Sequence, residues 1–197
     1  FCDADDVVDR RWIVAMCELV TPGTIVAGRL DFKLLNGPAT CWWRQANASQ
    51  LGQKFDHLPL GLSANLGIGR PLFEALSGFD EDLRVGEDID LCWRAQYLGA
   101  KLIFAYDAVV NYRIREKTLD AFVQSFAYGQ GDALLLSRHK NFGASRTLRR
   151  SSDAIRDVVL LTCIGVMKHE YRRMAVVRAA ALLGRIIGSI RERVWAV

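Results

Sequence analysis

Arg84-Val85-Gly86-Glu87-Asp88-Ile89-Asp90-Leu91-Cys92-Trp93-Arg94 puts three acids directly after a glycine, at the head of an apolar-periodic segment. Ile89, Cys92, Trp93 and the following Gln96-Tyr97 fall at helical spacing, so Glu87, Asp88 and Asp90 stand in or just before a first helical turn. Carboxylates are favoured there by the partial positive charge of the helix and cap its free amides. A second acidic group, Asp3-Ala4-Asp5-Asp6, follows an apolar start, Phe1-Cys2. Two acidic clusters at two element ends can face one cleft, which points to a metal site with a general base beside it.

Working outward, 197 residues with 51% apolar content suit one ordinary domain, or a domain with an appendage. Charge is uneven: residues 1–137 carry a net −5 and residues 138–197 a net +9, together the +4 of the chain. The expected chemistry lies in the acidic front part, with a basic helical tail behind it. The five cysteines, Cys2, Cys17, Cys41, Cys92 and Cys163, are scattered and never paired as CxxC. They read as reduced core residues rather than a disulfide framework or a zinc site. No signal peptide is visible, and the expectation is a cytoplasmic protein.

Phe1-Cys2 reads as a buried strand end with Asp3 to Asp6 at its C-terminal edge, where open α/β sheets bind ligands. Asp3 and Asp5, alternate along the chain, can turn oxygens toward one hard cation such as Mg²⁺ or Mn²⁺. Asp9 to Val20 is expected to be a helix, and Thr24 to Leu30 a strand. Residues 39–60 are irregular; Trp42-Trp43-Arg44 and Leu51 to Phe55 suit either a substrate-facing loop or core packing. Gly61 to Gly69 reads as a small-residue strand. Arg70 to Leu76 is a short helix with Pro71 at its first position and Gly78 ending it. Leu98-Gly99 stops the acidic helix, and two strand-like runs, Lys101 to Ala105 and Ala108 to Ile114, flank Tyr106-Asp107.

Four stretches in this order and spacing resemble the family-2 glycosyltransferases: Cys-Asp-Ala-Asp-Asp at 2–6, Ser-Ala-Asn-Leu-Gly-Ile-Gly-Arg at 63–70, Ser-Gly-Phe-Asp-Glu at 77–81 and Gly-Glu-Asp-Ile-Asp-Leu-Cys-Trp-Arg at 86–94. The resemblance covers roughly residues 1–135. It implies a partial GT-A fold, an α/β Rossmann-like sheet that binds a nucleotide-sugar, with Mg²⁺ or Mn²⁺ on the diphosphate and inversion at the sugar carbon. It implies Asp88 as the base, with Glu87 in support, and Asp3 and Asp5 on the metal. Asp3, Asp5, Asp6 and Asn65 would lie at the donor diphosphate or sugar. Asp90, Trp93 and Arg94 would meet the acceptor or hold up the residues that do. The acceptor is expected to be a glycan or a lipid-linked molecule, in cell wall or polysaccharide biosynthesis.

Two features depart from the family pattern. About 80–100 residues of nucleotide-binding βα units are expected upstream of the acidic start. In addition, Asn111-Tyr112-Arg113 stands where many relatives carry a metal-binding His. A non-catalytic binding module is therefore the alternative. Thr118 to Tyr128 is expected to be an amphipathic helix ending at Gly129, with the domain boundary at 135/136 and a basic amphipathic tail over 136–197. His57, His139 and His169 have no metal-ligand spacing. No apolar run reaches the roughly 18–20 residues that span a bilayer. The tail suits peripheral contact with the inner face of the plasma membrane; no nucleic-acid motif is present.

Overall fold

Ile25-Val26-Ala27 is apolar on consecutive positions, and a strand of that kind has to be covered on both faces. A computed structural model describes residues 1–37, 50–145, 148–167 and 169–197, with side chains described except at 148–151, 166–167 and 169–170. By packing, the chain divides into a sheet unit (residues 1–54, 58–82 and 87–114) and a helical unit (55–57, 83–86 and 115–197).

The sheet unit contains, in chain order, β1 (Val7–Val8), α1 (Trp12–Cys17), β2 (Thr24–Asp31), β3 (Gly52–Gln53), β4 (Pro59–Leu60), β5 (Leu66–Ile68), α2 (Arg70–Ala75), α3 (Glu87–Tyr97) and β6 (Lys101–Asn111). Four strands form one sheet in the order β1-β6-β2-β5. The central pair, β2 and β6, is parallel, and the long connection between them is the crossover such a pair requires. Both outer strands run antiparallel to their neighbours. The expected α/β class is thus met by a mixed sheet. Alternation along β2 sorts the layers. Val26 packs with Ala15 and Met16 of α1 and with Ala105 and Ala108. Ile25 and Ala27 pack with Leu66, Leu76 and the Leu91, Cys92 and Ala95 face of α3.

Several expected boundaries shift for local reasons. The strand expected over 61–69 shrinks to β5, because Leu62 to Asn65 form a turn closed by the Asn65 N–H on the Leu62 carbonyl at 2.9 Å. Ser77 (φ 58°) and the expected Gly78 (φ 71°) are both left-handed at the end of α2, their N–H groups bonding the Glu74 and Phe73 carbonyls. Gly99 ends α3 as expected: it has φ 87°, and the Ala100 N–H reaches back to the Ala95 carbonyl at 3.0 Å. Lys101 to Asn111 is one strand, and Tyr106-Asp107 forms a bulge where the register against β2 slips between Gly28 and Arg29. Cys92 is buried, whereas Cys2, Cys17 and Cys163 are exposed rather than core residues. Trp42-Trp43-Arg44, Cys41 and Arg146 lie outside the described residues.

In the helical unit, α4 (Thr118–His139) runs through Gly129 instead of ending there. A Cβ at Gly129 would strike the Ala181 carbonyl of α6 (His169–Glu192), so this glycine serves close helix approach, not a stop. Asp132 of α4 and Arg185 of α6 pair at 2.9 Å within the same contact. Between these helices in sequence, α5 (Leu148–Met167) packs on α6. The expected boundary at 135/136 falls inside α4, while the packing division falls at 114/115. Among the described residues, no helix is long and apolar enough to cross a membrane.

Candidate active site

The turn at Leu62–Asn65 ties both acidic clusters into the sheet unit. On one side the Ser63 N–H donates to Oδ2 of Asp88 at 3.0 Å, with the Ser63 hydroxyl at 3.5 Å. On the other, Asn65 forms a backbone bridge with Cys2, next to Asp3. The Phe1 amino group donates to the Leu66 carbonyl at 2.7 Å, and the Phe1 ring packs on Phe73 and Phe79 with centroids 5.5 and 5.0 Å away. Those contacts fix the loop that carries Asp3, Asp5 and Asp6.

Asp88 is 9% exposed at the second position of α3, and its Oδ1 accepts the Ile89 N–H at 2.8 Å. Burial pushes its pKa above the usual 3.8, against the opposing pull of the Ser63 and Ile89 amides and the Lys54 charge. Glu87 beside it is half-buried. A cleft of about 540 Å³ adjoins this point, lined by Leu51, Gln53, Lys54, Leu60, Leu62 and Ile89 among others. The next residue along α3, Ile89, lines that cleft.

Asp90, Trp93 and Arg94 are engaged in the fold. Asp90 is 3% exposed and binds Nε of Arg94 at 2.6 Å. The remaining Arg94 nitrogens donate to the Leu76 and Gly78 carbonyls at 2.6 and 2.8 Å, locking α3 to the end of α2. Trp93 is fully buried, with its indole N–H on the Leu58 carbonyl at 2.9 Å. Asn65 is an internal strut between three segments of the sheet unit. It is 1% exposed, accepts the Trp12 indole N–H at 2.8 Å and donates to the Arg29 and Ala108 carbonyls at 2.9 and 2.8 Å. Gly28 makes room for that amide, which a Cβ would strike.

Asp3 and Asp5 are exposed, and Asp6 is half-buried. Oδ1 of Asp6 accepts the Arg113 N–H at 2.7 Å, while its Oδ2 is enclosed with no hydrogen-bond partner among the described residues. Burial, and secondarily repulsion by Asp3 and Asp5, raises the Asp6 pKa despite that amide. No group of three or more His, Cys, Asp or Glu side chains able to hold a metal occurs among the described residues. Asp3 and Asp5 are two exposed carboxylates, the number that a cation such as Mg²⁺ takes from a protein when phosphates supply its other ligands. The enclosed Asp6 oxygen fits a neighbouring positive charge. Sequence reasoning singled out neither the Ser63 amide nor Lys54, because their roles depend on the turn and on strand pairing.

A buried carboxylate and an acidic loop thus lie on one mixed α/β sheet, and the sequence is glycosyltransferase-like. The chain is 34% identical to the pre-mycofactocin glycosyltransferase of Mycobacterium tuberculosis (strain CDC 1551 / Oshkosh) over 95% of its own length. Its counterpart in strain ATCC 25618 / H37Rv gives the same figures. The chain spans 40% of the length of these curated relatives. No family model matches it, and no solved structure does.

Proposed function

We propose that this chain is the metal-binding and acceptor-binding part of an inverting, GT-A-type glycosyltransferase, with Asp88 as the general base. The observation that carries the reading is the buried Asp88 carboxylate, held by Ser63 and Ile89 amides beside the 540 Å³ cleft. The likeness to a curated glycosyltransferase supports it. The acceptor hydroxyl enters from the cleft and gives its proton to Asp88 as it attacks the sugar carbon. Burial raises Asp88's affinity for that proton, and Glu87 lies beside it to support the charge. A divalent cation held by Asp3 and Asp5 would offset the charge of the departing nucleoside diphosphate. Asp90 and Arg94 keep the head of α3 in register with α2.

The first acceptor to test is pre-mycofactocin, after the name of the relatives; glycans and lipid-linked acceptors come next. Peripheral contact with an anionic membrane at its inner face rests on exposed Leu183, Ile186, Ile187 and Ile190 of α6, with exposed Arg191 and Trp195 nearby. The alternative, a non-catalytic module, is not favoured by the likeness to a named glycosyltransferase. The test is sugar transfer from labelled UDP-, GDP- and dTDP-sugars to pre-mycofactocin, with Mn²⁺ or with EDTA. Mn²⁺-dependent transfer is expected. Absence of transfer with every donor and acceptor would overturn the reading for this chain.

A further inference from the structure

Antiparallel pairing of β1 with β6 sets Val7 opposite Asn111 and Val8 opposite Val110. Carried two residues further, the same register brings Arg113 beside Asp5 and Asp6. The Arg113 N–H binds Oδ1 of Asp6 at 2.7 Å, and its Nε donates to the Asp5 carbonyl at 3.1 Å. The side chain is exposed, and neither terminal guanidinium nitrogen has a partner among the described residues. The guanidinium is therefore held by one edge at the loop that carries Asp3, Asp5 and Asp6, with its two terminal amino groups uncommitted.

From this arrangement we infer that Arg113 is a donor-binding residue, whose terminal nitrogens take the diphosphate of the nucleotide-sugar. The inference rests on the reading of the acidic loop as the donor site and adds to it the group that meets the phosphates. A guanidinium presents a planar fork that matches phosphate oxygens, and its charge persists at every working pH. Three carboxylates would otherwise repel a diphosphate. A fixed cation among them lowers that repulsion and stabilises the leaving group as the glycosidic bond breaks. Two residues beyond the end of β6, Arg113 cannot ligate a metal, yet it can neutralise the same anion.

Calorimetry of the full chain with inorganic pyrophosphate and Mn²⁺ tests this, beside Mn²⁺ alone followed by electron paramagnetic resonance. Arg113→Ala is expected to weaken Mn²⁺-pyrophosphate binding by about ten- to a hundredfold, the worth of a charge-assisted contact, and to leave binding of Mn²⁺ alone unchanged or tighter. Arg113→Lys, which keeps the charge and loses the fork, is expected to recover part of the affinity and guards against a folding defect. Pyrophosphate binding by Arg113→Ala equal to the wild type overturns the inference and leaves the donor-site reading standing. So does an equal loss for Mn²⁺ alone, which would place Arg113's effect in the acidic loop. A wild type that binds no pyrophosphate overturns the inference as well, and the transfer assay then decides the proposed function separately.

Discussion

Asp88 and Asp3 carry the same functional group in opposite surroundings. Asp88 is 9% exposed, both its oxygens accept backbone amides, and it opens a helix whose buried face packs under the sheet. Asp3 is exposed in a loop that precedes a two-residue edge strand. The first carboxylate is made basic by loss of water and rigid by its amides. The second stays exposed to solvent. Burial thus separates two carboxylates that composition alone treats as equal; under the proposed function the dry, fixed one takes the proton and the wet one the metal.

The sharpest way to break this contrast is Asp88→Asn. Transfer is expected to fall by about 10²–10⁴-fold with the fold retained by circular dichroism, since one general base is worth that much. Near-wild-type turnover would remove Asp88 from the chemistry. Next in size is Arg94→Ala. It removes the guanidinium that pairs with the 3%-exposed Asp90 and bonds the Leu76 and Gly78 carbonyls, so urea unfolding should show a loss of about 3–5 kcal/mol. Asn65→Ala leaves the Trp12 indole N–H and two carbonyls unpaired. A loss of about 1–3 kcal/mol for each group left buried sets the scale, with no direct effect on donor binding. Smallest on stability is Asp3→Asn, expected within about 0.5 kcal/mol of the wild type because the side chain is exposed. Its Mn²⁺-dependent nucleotide binding should nevertheless drop. A large stability loss at Asp3 would erase the distinction between the two clusters.

Local signals were legible and relayed signals were not. The head of α3 and its stop at Gly99 depend on residues within one or two turns, so the chain states them directly. The four ordered motifs likewise pointed to a glycosyltransferase, as the similarity to the mycobacterial enzyme supports. The strut role of Asn65 was not legible because its partners Trp12, Arg29 and Ala108 come from three separate segments. Gly129 looked like a helix end because its neighbour in space, Ala181, is far away in sequence. Tyr106-Asp107 looked like a break between strands because a bulge is defined only against the partner strand. Arg113 stood out solely as a departure from a pattern. Its contacts with Asp5 and Asp6 follow from the β1–β6 register, which two residues of strand do not announce.

The central claim is that a buried Asp88 carboxylate takes the acceptor's proton, and the pH dependence of kcat/KM tests it most directly. Burial raises the folded pKa above 3.8, so the ionised, active form appears only above that raised value. By the same sign, Asp88's contribution to stability is full below pH 3.8 and is lost as pH rises through its folded pKa. The measurement is kcat/KM for sugar transfer across the acid range, beside a ¹³C NMR titration of the Asp88 carboxyl. The account predicts an acid limb above pH 3.8 that coincides with the Asp88 titration and is absent from the residual activity of Asp88→Asn. An acid limb that persists unchanged in Asp88→Asn, or one that tracks a different group, would contradict it.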